Sequence, residues 1–257
     1  MGDVVHNDAR IFVDIAINNV SFAQIPNTVG TQPPTITIDE NGMATISGSF
    51  IDPGARATET VSIDWGEGGA LEQAVVTTYA RDPTLHHFTL SHRYLDDNPS
   101  GTPKDNYTIT VTAEDNDGAS SRKVAILTVA NVAPTADGLK LSHTTVLEDG
   151  KVVVVLTGHV SDIGTLDTVS EIEIDWGDGT ATVSTATSDP AARVIYDAVT
   201  RTFIATHRYL DDTPPGTPRD ILSIKVTATD DDTGARTSTI PIEVVNIAPK
   251  VAIHVAD

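Results

Sequence analysis

The chain has 257 residues, 39% hydrophobic and only 5% aromatic, with 36 acidic against 16 basic residues and a formal charge of −20. That balance argues against a nucleic-acid partner, because phosphate binding needs stripes of Lys and Arg, and it favours divalent cations as counterparts of crowded carboxylates. Cysteine is absent, which removes disulfides, thiolate metal sites and cysteine nucleophiles, and no stretch approaches the roughly 20 apolar residues of a bilayer span.

In chain order, Ile11 to Ile17 is an apolar segment followed by Asn18-Asn19-Val20. Turn signals follow at Glu40-Asn41-Gly42 and Asp52-Pro53-Gly54. Val61, Ile63 and Trp65 then alternate with Ser62 and Asp64. Tyr107, Ile109, Val111 and Ala113 alternate with Thr108, Thr110 and Thr112, and Asn116-Asp117-Gly118 closes that strand. Further turns are marked by Glu148-Asp149-Gly150 and Asp178-Gly179, and Leu222, Ile224, Val226 and Ala228 form a last alternating run. Period-two alternation gives each strand one buried and one wet face, as in antiparallel sheets. No helical stripe is visible. Many short strands per ~110 residues predict an all-β fold of two tandem immunoglobulin-like antiparallel β-sandwiches.

The chain repeats itself. Ile63-Asp64-Trp65-Gly66-Glu67-Gly68 returns as Ile174-Asp175-Trp176-Gly177-Asp178-Gly179, and His92-Arg93-Tyr94-Leu95-Asp96-Asp97 as His207-Arg208-Tyr209-Leu210-Asp211-Asp212. Gly101-Thr102-Pro103 returns as Gly216-Thr217-Pro218, Val111-Thr112-Ala113 as Val226-Thr227-Ala228, and Asn131-Val132-Ala133-Pro134 as Asn246-Ile247-Ala248-Pro249. The segment around Asn19 echoes the one around Asn131. The expected division is therefore 1–18 as the tail of a preceding repeat, 19–132 as repeat 1, 133–247 as repeat 2 and 248–257 as the start of another. The piece is expected to come from a longer array.

These motifs carry a family resemblance. An aromatic-Gly-Asp-Gly turn, then His-x-Tyr, then a strand ending in an Asp-rich turn is the pattern of PKD domains. Each repeat resembles it, through Trp176-Gly177-Asp178-Gly179, His207-Arg208-Tyr209 and Asp230-Asp231-Asp232-Thr233-Gly234 in the second, and through Trp65-Gly66-Glu67-Gly68, His92-Arg93-Tyr94 and Asp115-Asn116-Asp117-Gly118 in the first. Glu67 departs from the usual Asp, Leu222 from the usual strand Tyr, and both repeats carry long loops, Leu95 to Asn106 and Leu210 to Ile221. The resemblance implies extracellular or cell-surface localisation.

The resemblance also implies a cation site. Several PKD-like domains bind calcium through acids in these turns, which makes Asp162, Asp230, Asp232 and Asn131 the expected ligands in repeat 2, and Asp52, Asp115, Asp117 and Asn19 their counterparts in repeat 1. Ca²⁺ takes six to eight oxygens, which carboxylates, amide oxygens, carbonyls and water supply. The competing reading is that Asp simply suits turns. Trp65 and Trp176 read as core anchors, Tyr94 and Tyr209 as corner tyrosines bonding to backbone, and His92 and His207 as local hydrogen-bonders in the same corner. His86 and His87, like Ser91 and His92, point to opposite faces of a strand, which speaks against a catalytic site. The expected role is a non-catalytic extracellular structural or adhesive module, a semi-rigid spacer stabilised by calcium, with other surface proteins or polysaccharide as partners and no membrane insertion. The alternative is a carbohydrate-binding accessory module of a secreted hydrolase.

Overall fold

The structure is a computed structural model that describes residues 11–18, 20–21, 36–53, 58–99, 101–183, 194–212 and 216–252. The chain divides into two compact units, Met1–Asn131 and Val132–Asp257. Among the described residues every regular element is a β-strand, so the fold is all-β, as the alternation predicts.

Unit 1 contains β1 (Ile11–Ile17), β2 (Val20–Ser21), β3 (Ile36–Asp39), β4 (Met43–Ile51), β5 (Glu59–Asp64), β6 (Glu72–Tyr79), β7 (Asp82–Arg93), β8 (Lys104–Asp115) and β9 (Ser120–Ala130). Their order is β2-β1-β4-β7-β6-β5-β8-β9-β3. The continuous sheet doubles over at β6, whose first residues pair with β5 (Ile63↔Glu72) and whose later ones pair with β7 (Val76↔Phe88). The two layers close on one core: Ile15, Ile46, Phe50 and Phe88 from one face Val61, Ile63, Trp65, Ile109, Val111 and Leu127 from the other. The N-terminal segment changes layers. β1 runs antiparallel to β4, while β3 runs parallel to β9 with Ile36 opposite Leu127.

Unit 2 follows the same plan with β10 (Thr135–Leu141), β11 (Thr145–Leu147), β12 (Val154–Ser161), β13 (Val169–Asp175), β14 (Ala181–Val183), β15 (Val194–Asp197), β16 (Thr202–His207), β17 (Arg219–Asp230) and β18 (Ala235–Val245). One layer is β10-β12-β16-β15 and the other β11-β18-β17-β13-β14. β14 and β15 take the places of the two halves of β6, one pairing with β13 and the other with β16. β11 lies parallel to β18, with Val146 opposite Val244. Two facing layers, mostly antiparallel, with an N-terminal strand that switches between them, make each unit an immunoglobulin-like β-sandwich.

The alternation seen in the sequence becomes the burial pattern. Tyr107, Ile109, Val111 and Ala113 are all buried, and so are Leu222, Ile224, Val226 and Ala228. Trp65 and Trp176 are core residues, 4% and 0% exposed, and an indole of this size contributes about 4–6 kcal/mol through burial. One expectation is corrected. Ile11–Ile17 does not stand apart as the tail of another repeat. It pairs along β4 from Ile11↔Ile51 to Ile17↔Ile46, and Ile15 and Ile17 are sealed in the core of unit 1. Its apolar alternate residues need a partner layer, and β4 supplies one within the same unit. The long loops are also shorter than expected, because β8 begins at Lys104 and β17 at Arg219.

Candidate functional site

Each sandwich has an aromatic corner and two acidic ends. The corner starts at the Trp-Gly-acid-Gly turn. Gly66 and Gly177 have φ of 87° and 83°, and a Cβ there would lie 2.9 Å from Thr108 N and 3.0 Å from Ser223 O. Both the left-handed backbone and the close approach to the adjacent strand require glycine. The preceding acids fix the turn, since Gly66 N–H donates to Asp64 Oδ1 and Gly177 N–H to Asp175 Oδ1, both at 2.9 Å.

Three rings interlock above this turn. His92 stacks on Trp65 at 5.0 Å and His207 on Trp176 at 4.8 Å, each with the corner tyrosine edge-on. The hydroxyls of Tyr94 and Tyr209 donate to the carbonyls of Trp65 and Trp176, as the corner reading expects. Burial pushes both phenols well above the ordinary tyrosine range. The histidines hydrogen-bond within the same corner, as expected, and their partners are acids. His207 Nε2 lies 2.7 Å from Asp178 Oδ2, and His92 places Nε2 2.6 Å from Glu67 Oε2 and Nδ1 2.9 Å from Glu72 Oε1. The His of one motif thus clamps the acid of the other. Burial works against the Asp178 carboxylate, but hydrogen bonds from Thr180 and His207 outweigh it and hold this carboxyl below its usual range.

The other histidines have structural roles too. His86 is buried and stacks on Phe50 at 5.1 Å, with Nδ1 3.6 Å from Glu59, while His87 turns outward against Tyr79. Ser91 shares a hydrogen bond with Thr45 rather than with a ring nitrogen.

The turn acids expected to hold calcium lie where β8 and β17 end. Asp115 Oδ1 accepts from the N–H groups of Asp117 and Ala119 at 2.8 and 2.9 Å. Asp230 Oδ1 does the same for Asp232 and Gly234 at 3.0 and 2.7 Å. These two carboxylates organise the turn. Asp52 is buried, with its N–H bonded to Thr84 O, and Asp117 is exposed. Asn19 lies outside the described residues. Asn131 is the last residue of unit 1, and its N–H donates to Pro103 O.

In unit 2 the turn acids gather, through a residue the sequence reading missed. A carboxylate oxygen of Asp167 lies within 4.8 Å of one from Asp162 and of one from Asp232. Asp167 and Asp232 are buried, and burial together with the nearby charge of Asp230 pushes the Asp162 carboxyl up. Among the described residues, Asp162, Asp167 and Asp232 approach only pairwise through Asp167, and neither Asp162, Asp230 and Asp232 nor Asp52, Asp115 and Asp117 converge as a trio. Strand register explains the difference between units. Val169 faces Asp230 as Glu59 faces Asp115, so the position of Asp167 corresponds in sequence to Ala57.

The opposite ends hold a second acidic set. Glu40 meets Asp96 and Asp97, and Glu148 meets Asp211 and Asp212. The signal was present in the repeated Tyr-Leu-Asp-Asp and in a Glu at the same turn of both repeats, but not the contact across about half a repeat of chain.

No family model and no curated protein matches this chain. Among solved structures it is similar to the D00-D0 domain of intimin, at 11% identity and a TM-score of 0.27 over 89% of this chain and 98% of that one. It is also similar to invasin, described as a bacterial integrin-binding protein, at 13% identity and a TM-score of 0.39 over 92% of this chain and 39% of that one. A chain from the complex of Dpr2 Ig1-Ig2 with DIP-Theta Ig1-Ig3 gives 14% identity and a TM-score of 0.28 over 93% and 99%. The assignment to immunoglobulin-like β-sandwiches rests on the strand pairing of the chain itself.

Proposed function

We propose that the chain is a non-catalytic structural and adhesive module of an extracellular or cell-surface protein, built of PKD-like repeats and stabilised by calcium at its acidic turns. The observation that carries this reading is the commitment of the chemically versatile side chains to structure. Both Trp rings are core, His92 and His207 are clamped to the turn acids, and Asp115 and Asp230 cap backbone N–H groups. What remains outward is a strongly acidic surface, suited to cations and to protein partners rather than to turnover of a substrate.

In unit 2, Asp162, Asp167 and Asp232 are the carboxylates best placed for calcium at the turn end, with Asp230 shaping the loop behind them. Calorimetry on the chelator-treated chain tests the cation part, and the absence of heat on adding Ca²⁺ would retire it. Co-sedimentation with insoluble polysaccharides, against binding to intact cells or immobilised surface proteins, tests the partner class. Retention on polysaccharide with no protein or cell binding would favour the carbohydrate-binding alternative.

A further inference from the structure

The ends of the sandwiches opposite the Asp-rich turns carry a second acidic set with its own geometry. In unit 1, Glu40 follows β3, and Asp96 and Asp97 follow β7 in the loop that leads to β8. One oxygen from each lies within 4.8 Å of the others, and the three residues are only 1%, 8% and 0% exposed. The backbone holds the group in place. Glu40 N–H donates to Ala130 O, the end of β9, and Tyr107 Oη donates to Asp96 O at 3.2 Å. Asp96 Oδ2 accepts from Asn98 Nδ2 at 3.0 Å, whereas its Oδ1, equally buried, accepts no hydrogen bond.

Unit 2 repeats the arrangement. Glu148 follows β11, Asp211 and Asp212 follow β16, and the three again offer oxygens within 4.8 Å of one another. Glu148 Oε1 accepts from Ile247 N–H at 2.8 Å and Oε2 from Asp212 N–H at 3.0 Å. Asp212 is 3% exposed, and its Oδ2 accepts no hydrogen bond.

A buried carboxylate oxygen with no donor is costly, and placing two further carboxylates against it adds repulsion. Three acids gather at the corresponding place in both sandwiches, fully buried in unit 1 and partly so in unit 2, and each set has a buried Asp oxygen without a donor, on Asp96 in unit 1 and on Asp212 in unit 2. Such an oxygen among carboxylates marks a site that a cation completes. The donors are all oxygen, with no imidazole or sulfur, which suits a hard cation. Carboxylates on two separate segments, with carbonyls and water to add, suit the larger and more flexible shell of calcium better than the strict octahedron of magnesium. We propose that each sandwich carries a calcium site where its chain leaves, formed by Glu40, Asp96 and Asp97 in unit 1 and by Glu148, Asp211 and Asp212 in unit 2.

These sites are separate from the turn acids of the same unit. β8 and β17 each run 12 residues from the loop at one end to the Asp-rich turn at the other, which is roughly 35–40 Å of strand. The proposal therefore does not require the turn acids of the same unit to bind calcium, and it is independent of any adhesive role.

The test is equilibrium dialysis and calorimetry with Ca²⁺ on the full chain after chelation, comparing the parent with Glu40→Gln/Asp97→Asn, with Glu148→Gln/Asp212→Asn and with Asp162→Asn/Asp232→Asn. Each of the first two is expected to lose its own calcium equivalent, or to weaken that binding step by at least about tenfold. Circular dichroism in chelator checks that each variant is folded, and should one unit's variant not fold, the other unit's pair decides. A parent that takes up no calcium overturns the proposal. So do first and second variants that bind as the parent does, and if the third alone then loses calcium, the turn site survives while this one falls.

Discussion

The hydroxyl of Tyr209 donates to the carbonyl of Trp176 at 3.0 Å across 33 residues of chain, and Tyr94 makes the same bond to Trp65 at 2.8 Å. The bond ties the strand that ends the His-x-Tyr motif to the turn that follows the buried Trp. Replacing either Tyr by Phe keeps the ring contacts and removes only the donor. The buried carbonyl is then left without its partner, at a cost of about 1–3 kcal/mol. The expected result is a lower melting transition for the affected sandwich, read by calorimetry, with the other transition unmoved.

A second prediction concerns acid. Asp175 is held below the usual carboxylate range, first by the Gly177 N–H and then by Lys225, and Asp178 by Thr180 and His207 against the effect of burial. A carboxyl whose pKa is depressed by folding adds stability above its unfolded value near 4, and that stability is lost as pH falls through the lower folded value. Unit 2 should therefore lose stability as pH drops below about 4, and Asp178→Asn should flatten part of that dependence. Thermal melts of parent and variant between neutral and acid pH provide the check.

The turn glycines are a third case. At Gly66 and Gly177 an added methyl group meets neighbouring backbone, Thr108 N or Ser223 O, and φ is positive as well. Gly66→Ala and Gly177→Ala should each destabilise their unit by about 1–3 kcal/mol in urea unfolding. Gly179→Ala separates the two causes, because it shares the positive φ of 87° and has open space around it, so its loss should be smaller.

A fourth comparison separates turn-shaping from cation binding. Asp230 uses one oxygen to accept two backbone N–H groups, and Asn presents the same acceptor without the charge. In chelator, Asp230→Asn should melt close to the parent, while Asp230→Ala should lose about 1–2 kcal/mol. With calcium added, Asp230→Asn should gain about as much stability as the parent and Asp230→Ala less, as read by the shift in melting temperature, because Asn keeps the loop shape on which the neighbouring carboxylates depend.

The parts of this molecule legible in its sequence are those decided by neighbours along the chain. The alternation from Tyr107 to Ala113 fixes which side chains are buried, and the Trp-Gly-acid-Gly turn places its glycines. What was hidden depends on pairing at long range. Ile11–Ile17 is as apolar as the end of a preceding repeat would be, and only its register with β4 shows where it belongs. The meeting of Glu40 with Asp96 and Asp97 needs β3 beside β9 and the loop after β7 folded back to the same end. Asp167 stood alone in its loop, with no repeat partner to single it out, since Ala57 occupies the matching position.

The parallel pairing of β3 with β9 and of β11 with β18 bears on load. Tension entering a sandwich through its first segment and leaving by its last strand pulls along the strand direction at these contacts. The bonds there are stretched in shear and have to yield together, whereas an antiparallel hairpin opened from its end would unzip one rung at a time. Unit 1 sets four residue pairs against this pull, Ile36 to Asp39 on Leu127 to Ala130, and unit 2 sets three, Thr145 to Leu147 on Glu243 to Val245. Backbone bonds just outside the paired residues, Glu40 N–H to Ala130 O in unit 1 and Glu148 N–H to Val245 O and Glu243 N–H to Thr144 O in unit 2, bring the two contacts to the same span, so each sandwich resists the pull over about five residues of its first segment.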